Sequence, residues 1–242
     1  MDSGFYAACS GLVARMQALE VLAHDLANVG TPGYKARHQF FAAFENSLAA
    51  LSDPLNQAMN RFGILGGAYV DFREGSLEPT GNPLDVAIEG PGFFVVQTAA
   101  GVRYTRNGAL RLNARRVLVT AEGDPVLGTA GPLIVPEGKL DISGDGTVSV
   151  NGAQIGRLQV VEFPAATALV PEGNTYFAAP TGSARPARTS TLRPGTVEDS
   201  NMNPVLGTVE LVAAQRTAQI LERALGIFNN DLNRTAEQIG RV

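Results

Sequence analysis

One acidic stretch of the chain has the residue types of a calcium-binding loop. Asp141, Ser143 and Asp145 alternate along it and Gly146 follows them, as at the start of an EF-hand loop. The twelfth position of such a loop needs a bidentate carboxylate, but here it falls on Gly152, which has no side chain to bind a metal. The Gly-Asp-Gly sequence at its centre instead predicts a β-turn.

The other reactive side chains do not suggest a metal, cofactor or catalytic site. The chain has two histidines, His24 and His38, on different predicted elements, and a single cysteine, Cys9, on the apolar side of a helical pattern. A glycine-rich sequence at residues 90–92 precedes a strand pattern, so it lacks the helix N-terminus that would bind a phosphate. No nucleophile elbow or Ser/His/Asp or Cys/His arrangement is recognisable. We expect a protein that is not an enzyme and holds no cofactor or metal.

Composition argues against two further classes of function. The 242 residues carry a net charge of −4, with 45% apolar and 17% charged residues, which is typical of a folded protein and unlike the basic surface that binds nucleic acid. No apolar run approaches the roughly 18 residues of a membrane span. The N-terminal residues lack the basic and continuous apolar segments of a secretory signal peptide. We expect no nucleic-acid binding, no membrane insertion and no cleaved signal peptide.

An apolar repeat at three- and four-residue spacing marks each end of the chain. Such spacing places the apolar side chains along one face of an α-helix, which predicts coiled-coil-type helices at both termini. The first helix should cover about residues 4–28 and end at Gly30, in a left-handed conformation, before Pro32. The second should begin at Asn203 and Pro204.

The two apolar stripes predict an assembly interface. Each is long, and the simplest partner for one is the other, but two paired helices would still leave apolar surface for a neighbouring molecule. We expect this interface to contain, in chain order, Phe5, Leu12, Leu19, Leu26, Leu211, Leu221, Leu225, Phe228 and Leu232.

Between the helices the pattern changes to short apolar runs separated by Gly, Pro and Asn. About ten strand candidates at this spacing, with no helical pattern among them, predict an antiparallel β body of sandwich-like or barrel-like form. Residues 36–67 are ambiguous, with a short helical turn suggested near Phe40 and Phe41. The predicted domains are a discontinuous helical assembly domain (1–35 and 203–242), a partly mobile connector (36–67) and a β domain (68–202).

Three separated motifs resemble those of the flagellar hook–basal-body family, the axial proteins of the bacterial flagellar rod and hook. They lie at residues 25–35, 75–94 and 197–216, with Tyr104–Gly108 at the expected spacing between the last two. The chain departs from the usual pattern at Asp25, at Tyr34 and at residues 115–116, where two arginines replace a turn that normally contains glycine. The motif residues that we single out are Asn28, Thr31, Gly33, Tyr34, Lys35, Asp85, Gly90, Gly92, Phe93, Phe94, Asn201 and Pro204.

The resemblance implies a structural subunit of the flagellar basal-body rod, most similar to the proximal-rod subunits. Such a subunit assembles through its terminal helices, which order on assembly, into the axial drive shaft that transmits torque. Its partners would be other copies, other rod and hook proteins, and the flagellar type III export apparatus. It would lie in the periplasm-spanning rod, exported without a cleaved signal peptide. Two alternatives stay open: a distal-rod subunit, and a β-domain binding or adhesion module with an oligomerising helical stalk.

Overall fold

The computed structural model describes residues 2–42, 64–164, 169–173 and 175–239. The chain divides into two compact units. Unit 1 comprises Met1–Ala27, Arg37–Tyr69 and Asn203–Val242, and unit 2 comprises Asn28–Ala36 and Val70–Met202.

Unit 1 contains a long helix from each end of the chain. Helix α1 spans Asp2–Ala27 and helix α2 spans Pro204–Ile239, and the two pack against each other. The Asn203 side chain accepts hydrogen bonds from the amides of Val205 (3.0 Å) and Leu206 (3.1 Å), which caps the first turn of α2. The predicted terminal helices are therefore confirmed.

The residues after α1 differ from the prediction in one detail. The left-handed residue is Gly33 (φ 68°), and Gly30 does not have a positive φ. The chain instead turns through hydrogen bonds from the Thr31 amide to the Asn28 carbonyl (3.0 Å) and from the Tyr34 amide to the Thr31 carbonyl (3.2 Å). Gly33 adopts the left-handed conformation where it lies against residues 106–107 of unit 2, and not at the end of α1.

The described parts of the predicted connector form strands. Strand β1 spans Arg37–Ala42 and pairs with β2, which spans Ile64–Val70. Phe40 and Phe41 therefore lie in a strand and not in the predicted helical turn, and the other residues on which that turn was predicted, Phe44 and Leu48, lie outside the described residues. The mobile part of the connector was predicted at residues 46–67; residues 43–63 lie outside the described residues, and residues 64–67 belong to β2.

Unit 2 is built from short strands. In chain order they are β3 Leu77–Pro79, β4 Val86–Glu89, β5 Gly92–Thr98, β6 Gly101–Thr105, β7 Arg111–Leu112, β8 Leu118–Val119, β9 Leu127–Gly128, β10 Gly131–Pro132, β11 Leu140–Ile142, β12 Thr147–Val150, β13 Ala153–Arg157, β14 Val160–Glu162, β15 Val170–Glu172, β16 Tyr176–Ala178, β17 Arg185–Pro186, β18 Thr191–Pro194 and β19 Thr196–Glu198.

The largest sheet of unit 2 has six strands in the order β15-β16-β6-β5-β14-β17, and its neighbouring strands are antiparallel. Smaller two- and three-stranded sheets complete the unit, including the pairs β18-β4 and β19-β3. Because β15 and β17 are edge strands, the six-stranded sheet does not close. The antiparallel β body is confirmed, and its described strands form no closed barrel.

Strand β5 carries the core of unit 2 on both of its faces. Successive side chains of a strand point to opposite faces, so Phe93 and Val95 lie on one side and Phe94 and Val96 on the other. All four are at most 3% exposed and belong to two separate apolar clusters. The unbroken apolar run in the sequence thus reflects a strand covered on both faces.

A left-handed arginine forms the turn between β7 and β8. Arg116 has φ 58°, and its amide donates to the Asn113 carbonyl (2.8 Å). Its guanidinium donates to the carbonyls of Val135 (2.6 Å) and Pro136 (2.7 Å), and these contacts offset the backbone strain of a non-glycine residue. The turn therefore forms without the glycine that the family usually has there.

Candidate functional site

Helix α2 has apolar side chains on two opposite faces. On one face Leu221 is 2% exposed and Ala218 is 7% exposed, with Leu211 and Leu225 half-buried. On the other face the side chains are 41–70% exposed: Val205, Val209, Val212, Ile220 and Ile227. At 3.6 residues per turn these five fall within about 80° of one another, roughly opposite Leu221. We call this set the exposed stripe.

Among the described side chains of α1, the buried ones are small apart from Asp25, whose carboxylate accepts a hydrogen bond from the Arg37 amide (3.0 Å). Ala8, Ala14 and Ala18 are at most 7% exposed, and Gly11 is also buried. Small side chains let helix backbones approach closely, which suits the packing of α1 on α2.

The residues predicted for the assembly interface are only partly brought together. Leu12, Leu19 and Leu26 are half-buried beside the small residues of α1, while Leu221 is fully covered. The side chains of Phe5, Phe228 and Leu232 lie outside the described part of the chain. Sequence reasoning missed the exposed stripe, although Val205, Val209 and Val212 follow the same 4-3 spacing as the predicted seam.

In unit 2 the motif residues at 33–36 lie against those at 198–201. The Gly33 amide donates to the Glu198 carbonyl (2.7 Å), and the Ala36 amide donates to Asn201 Oδ1 (2.8 Å). The Asn201 amide nitrogen Nδ2 donates in turn to the carbonyl of Asp71 (2.7 Å). Tyr34 is 1% exposed between these contacts. These two segments follow α1 and precede α2 in the sequence.

Gly33 occupies a position that no other residue could fill without displacement. A Cβ atom there would lie 2.4 Å from both the carbonyl carbon of Arg106 and the amide nitrogen of Asn107. Its φ of 68° also favours glycine. The motif glycine is therefore required by close contact between two backbone segments.

A buried cluster of three charged side chains joins these segments. Glu198 Oε1 lies 2.6 Å from Lys35 Nζ, and Glu198 Oε2 lies 2.8 Å from Arg106 Nε. The Lys35 and Glu198 side chains are 0% exposed and that of Arg106 is 3% exposed. The amide of Gly75 donates to Oε1 (3.0 Å), and Lys35 Nζ also donates to the Arg73 carbonyl (2.7 Å). We call Lys35, Arg106 and Glu198 the charged cluster.

The pKa values of Glu198 and Lys35 are both lowered, which favours the charged form of Glu198 and disfavours that of Lys35. Burial by itself would raise the pKa of Glu198, but Arg106 and Lys35 outweigh it and hold this pKa below its ordinary value. Burial lowers the pKa of Lys35, against the opposing attraction of Glu198. Because each charge has a partner at hydrogen-bond distance, the cluster avoids the cost of an isolated buried charge.

Arg106 ties the cluster to the glycines of the central motif. Its guanidinium donates to the carbonyls of Gly90 (2.5 Å), Gly92 (2.8 Å) and Ile88 (3.1 Å) and lies 5.8 Å from the centre of the Phe93 ring. Arg106 and Glu198 lie in the sequence motifs but are not among the motif residues singled out from the sequence. Nothing in their own segments marks either one, because the cluster joins residues that are distant in the sequence.

Asp85, Thr31 and Phe94 have local roles. Asp85 accepts hydrogen bonds from Thr80 Oγ1 (2.6 Å) and Asn82 Nδ2 (3.0 Å), which shapes the turn before β4. Thr31 Oγ1 donates to Asn28 Oδ1 (3.2 Å) after α1, and Phe94 belongs to the core.

The calcium-like stretch is a turn. The Gly146 amide donates to the Ser143 carbonyl (2.9 Å), and Gly146 has φ 87°. Asp145 accepts from the Thr147 amide (3.0 Å) and from its hydroxyl (2.9 Å), and these bonds lower the pKa of Asp145. The described residues include no group of three or more His, Cys, Asp or Glu side chains that could hold a metal. Neither helix, over its described residues, is long and apolar enough to span a bilayer.

Comparison with known proteins places similar chains in the flagellum. Residues 87–150 match the family model described as the flagellar hook protein FlgE/F/G D1 domain. The flagellar basal-body rod protein FlgF of Caulobacter vibrioides is 28% identical over 100% of both chains. FlgF of Salmonella typhimurium is 32% identical over 89% of this chain and 90% of the relative. The rod protein FlgG of Agrobacterium fabrum is 30% identical over 90% and 92%.

Proposed function

The chain belongs to the family of flagellar basal-body rod proteins that includes FlgF and FlgG, and from this premise we propose its role in the flagellum. It is a structural subunit of the rod and assembles with other axial components. We propose that it occupies the proximal part of the rod, because its motifs are most similar to those of proximal-rod subunits. The distal part of the rod is the alternative.

The observation that carries this proposal is the exposed stripe of α2. Val205, Val209 and Ile220 are each at least 60% exposed, although the opposite face of the same helix is already covered. Burying one such side chain contributes about 1.5–3 kcal/mol. A helix that is apolar on two faces needs a second partner, and in a rod that partner is a helix of a neighbouring subunit.

The finer features of the proposal follow from the family. We propose that the terminal helices, with the predicted interface residues, form coiled-coil contacts between subunits, and that the domains divide at the predicted boundaries. We also propose a sandwich-like β body, export through the type III apparatus without a cleaved signal peptide, no membrane insertion and no enzymatic activity. The rod would then transmit torque as an axial shaft. A binding module with a helical stalk is less well supported, because the similarity to rod proteins extends over the whole chain.

The proposal is tested by Ile220→Asp, which places a charge in the middle of the exposed stripe. Because Ile220 is 63% exposed, we expect the isolated chain to fold as the parent does. We expect the variant to fail to enter the rod and to leave a strain lacking the gene non-motile. The matched control is Gln215→Asp, which introduces the same charge at an exposed position between the two apolar faces.

Two outcomes decide the question. Motility and rod incorporation of Ile220→Asp at the parental level would contradict the role of the exposed stripe. Electron microscopy of basal bodies from the deletion strain distinguishes the two positions. A rod that stops in its proximal part supports the proximal assignment, and a rod whose proximal part is complete but whose distal part is missing supports the alternative.

A further inference from the structure

Residues 33–36 contact unit 2 through partners that are distant in the sequence. The Gly33 amide donates to the Glu198 carbonyl (2.7 Å), Lys35 Nζ binds the Glu198 carboxylate (2.6 Å), and the Ala36 carbonyl accepts from the Asp71 amide (2.9 Å). Residues 33–36 thus form a segment of unit 2 that lies outside its numbered strands.

The charged cluster is arranged so that the charge of Glu198 would still be compensated if residues 33–36 moved away. Glu198 uses Oε1 for Lys35 and for the Gly75 amide, and it uses Oε2 for Arg106. If Lys35 leaves, the carboxylate still has a buried cation on one oxygen and a backbone donor on the other. Arg106 also retains its three carbonyl acceptors in the β4–β5 region.

The consequences of losing each cation therefore differ. Loss of Arg106 would remove its hydrogen bonds to two buried carbonyls, those of Gly92 and Ile88, and to the partly buried carbonyl of Gly90. Loss of Lys35 would remove the one charged side chain that the 33–36 segment contributes to the cluster. An undocked segment would return its own polar groups to water, so undocking leaves no isolated buried charge behind.

We propose that residues 33–36 are a clasp that docks on unit 2 and releases from it in a step separate from the folding of strands β3–β19. Lys35 holds the clasp closed through Glu198. With the clasp closed, unit 2 contains residues 33–36 as well as Val70–Met202. This is a property of the chain itself and does not depend on rod assembly.

The first test compares the only two lysines of the chain in the full-length protein. Lys35→Met keeps the aliphatic stem and removes the charge, and Lys139→Met makes the same change at an exposed position. Hydrogen exchange read by NMR should show the amides of Gly33 and Ala36 exchanging about a hundredfold faster in Lys35→Met. We expect unchanged exchange in β5, and no change at either place in Lys139→Met.

Two results would overturn the clasp. Faster exchange of equal size in β5, or global unfolding of Lys35→Met, would mean that the segment and the strands form one cooperative unit. Unchanged exchange at Gly33 and Ala36 would mean that Lys35 does not hold the segment.

A second measurement needs no variant. In the wild-type chain at low urea, the amides of Gly33 and Ala36 should exchange through an opening with a smaller dependence on urea than the amides of β5, because less surface is exposed. Identical urea dependence and identical opening free energy at both places would refute the proposal.

Discussion

Replacing Glu198 by glutamine tests whether the charged cluster is held by charge or only by packing. Glutamine has nearly the same shape, but it removes the negative charge and replaces one acceptor oxygen by an NH2 group, which cannot accept the hydrogen bonds that this oxygen accepts in Glu198. It leaves Lys35 and Arg106, whose side chains are 0% and 3% exposed, without the buried carboxylate that they share. The remaining acidic neighbour, Glu74, is 4.0 Å from Arg106 and 47% exposed, so it compensates their charge only weakly. Breaking a buried ion pair from one side costs about 3–5 kcal/mol.

This magnitude is measurable by urea unfolding followed by far-UV circular dichroism. With a urea slope of about 2 kcal/mol/M, the midpoint should fall by about 1.5–2.5 M. Glu137→Gln, the same change at an exposed residue, should leave the midpoint nearly unchanged. A loss below about 1 kcal/mol in Glu198→Gln, with an unchanged slope, would refute the assignment of the cluster as a charge-dependent contact.

Two extensions separate charge from packing. Adding Lys35→Met to Glu198→Gln removes one of the two uncompensated cations, so the double variant should lose at least about 1 kcal/mol less than the sum of the single variants. Because the pKa of Glu198 is lowered in the folded state, the carboxylate stabilises the fold above its ordinary pKa of 4.5, and this contribution is lost as the pH falls through the folded-state pKa. The stability difference between the wild type and Glu198→Gln should therefore shrink below pH 4.5.

Three further predictions concern backbone contact, a loop anchor and assembly. Gly33→Ala should weaken the docking of residues 33–36 by at least about 2 kcal/mol more than Gly173→Ala weakens its own turn, because both have φ 68° but only a Cβ at Gly33 meets another backbone segment; equal acceleration of amide exchange around the two positions would contradict this. Burial opposes the charged form of Glu162, but hydrogen bonds from residues 188–190 outweigh it and hold the pKa of Glu162 at about 2. The stability that Glu162 gives to this loop should therefore be complete above pH 4.5 and should be lost as the pH falls from 4.5 to 2. Amide exchange in the loop should show this pH dependence, and Glu162→Gln should remove it. Ile220→Asp should leave the melting temperature of the isolated chain within about 2 °C of the parent while blocking rod incorporation, so a large fall in that temperature would identify Ile220 as a core residue.

The sequence predicted the elements that depend on interactions between residues close together in the chain. The 3-4 apolar spacing at both ends corresponds to α1 and α2, and the cap at Asn203 lies where its side chain suggests. The turn at Asp145 and the buried run at Phe93 are likewise local features. Each of these signals is contained within a few consecutive residues.

Features that depend on contacts between distant segments were not predictable in this way. The left-handed residue after α1 is Gly33 rather than Gly30 because residues 106–107 lie against it, and nothing near Gly33 in the sequence reports that contact. The charged cluster joins residues 35, 106 and 198, so each member looks like an ordinary charged residue in its own segment. The exposed stripe was detectable from spacing, but which face of α2 is covered depends on how α1 packs.

The open six-stranded sheet has a consequence for a protein that polymerises. Its edge strands are both short, and each contains a proline: Pro171 in β15 and Pro186 in β17. Proline has no amide hydrogen, so a strand that carries it cannot offer a complete row of hydrogen bonds to the strand of another molecule. The β body is thereby protected against edge-to-edge aggregation at high local concentration. Growth by strand pairing is disfavoured, so the association that we propose through the terminal helices would meet less competition from β-sheet polymers.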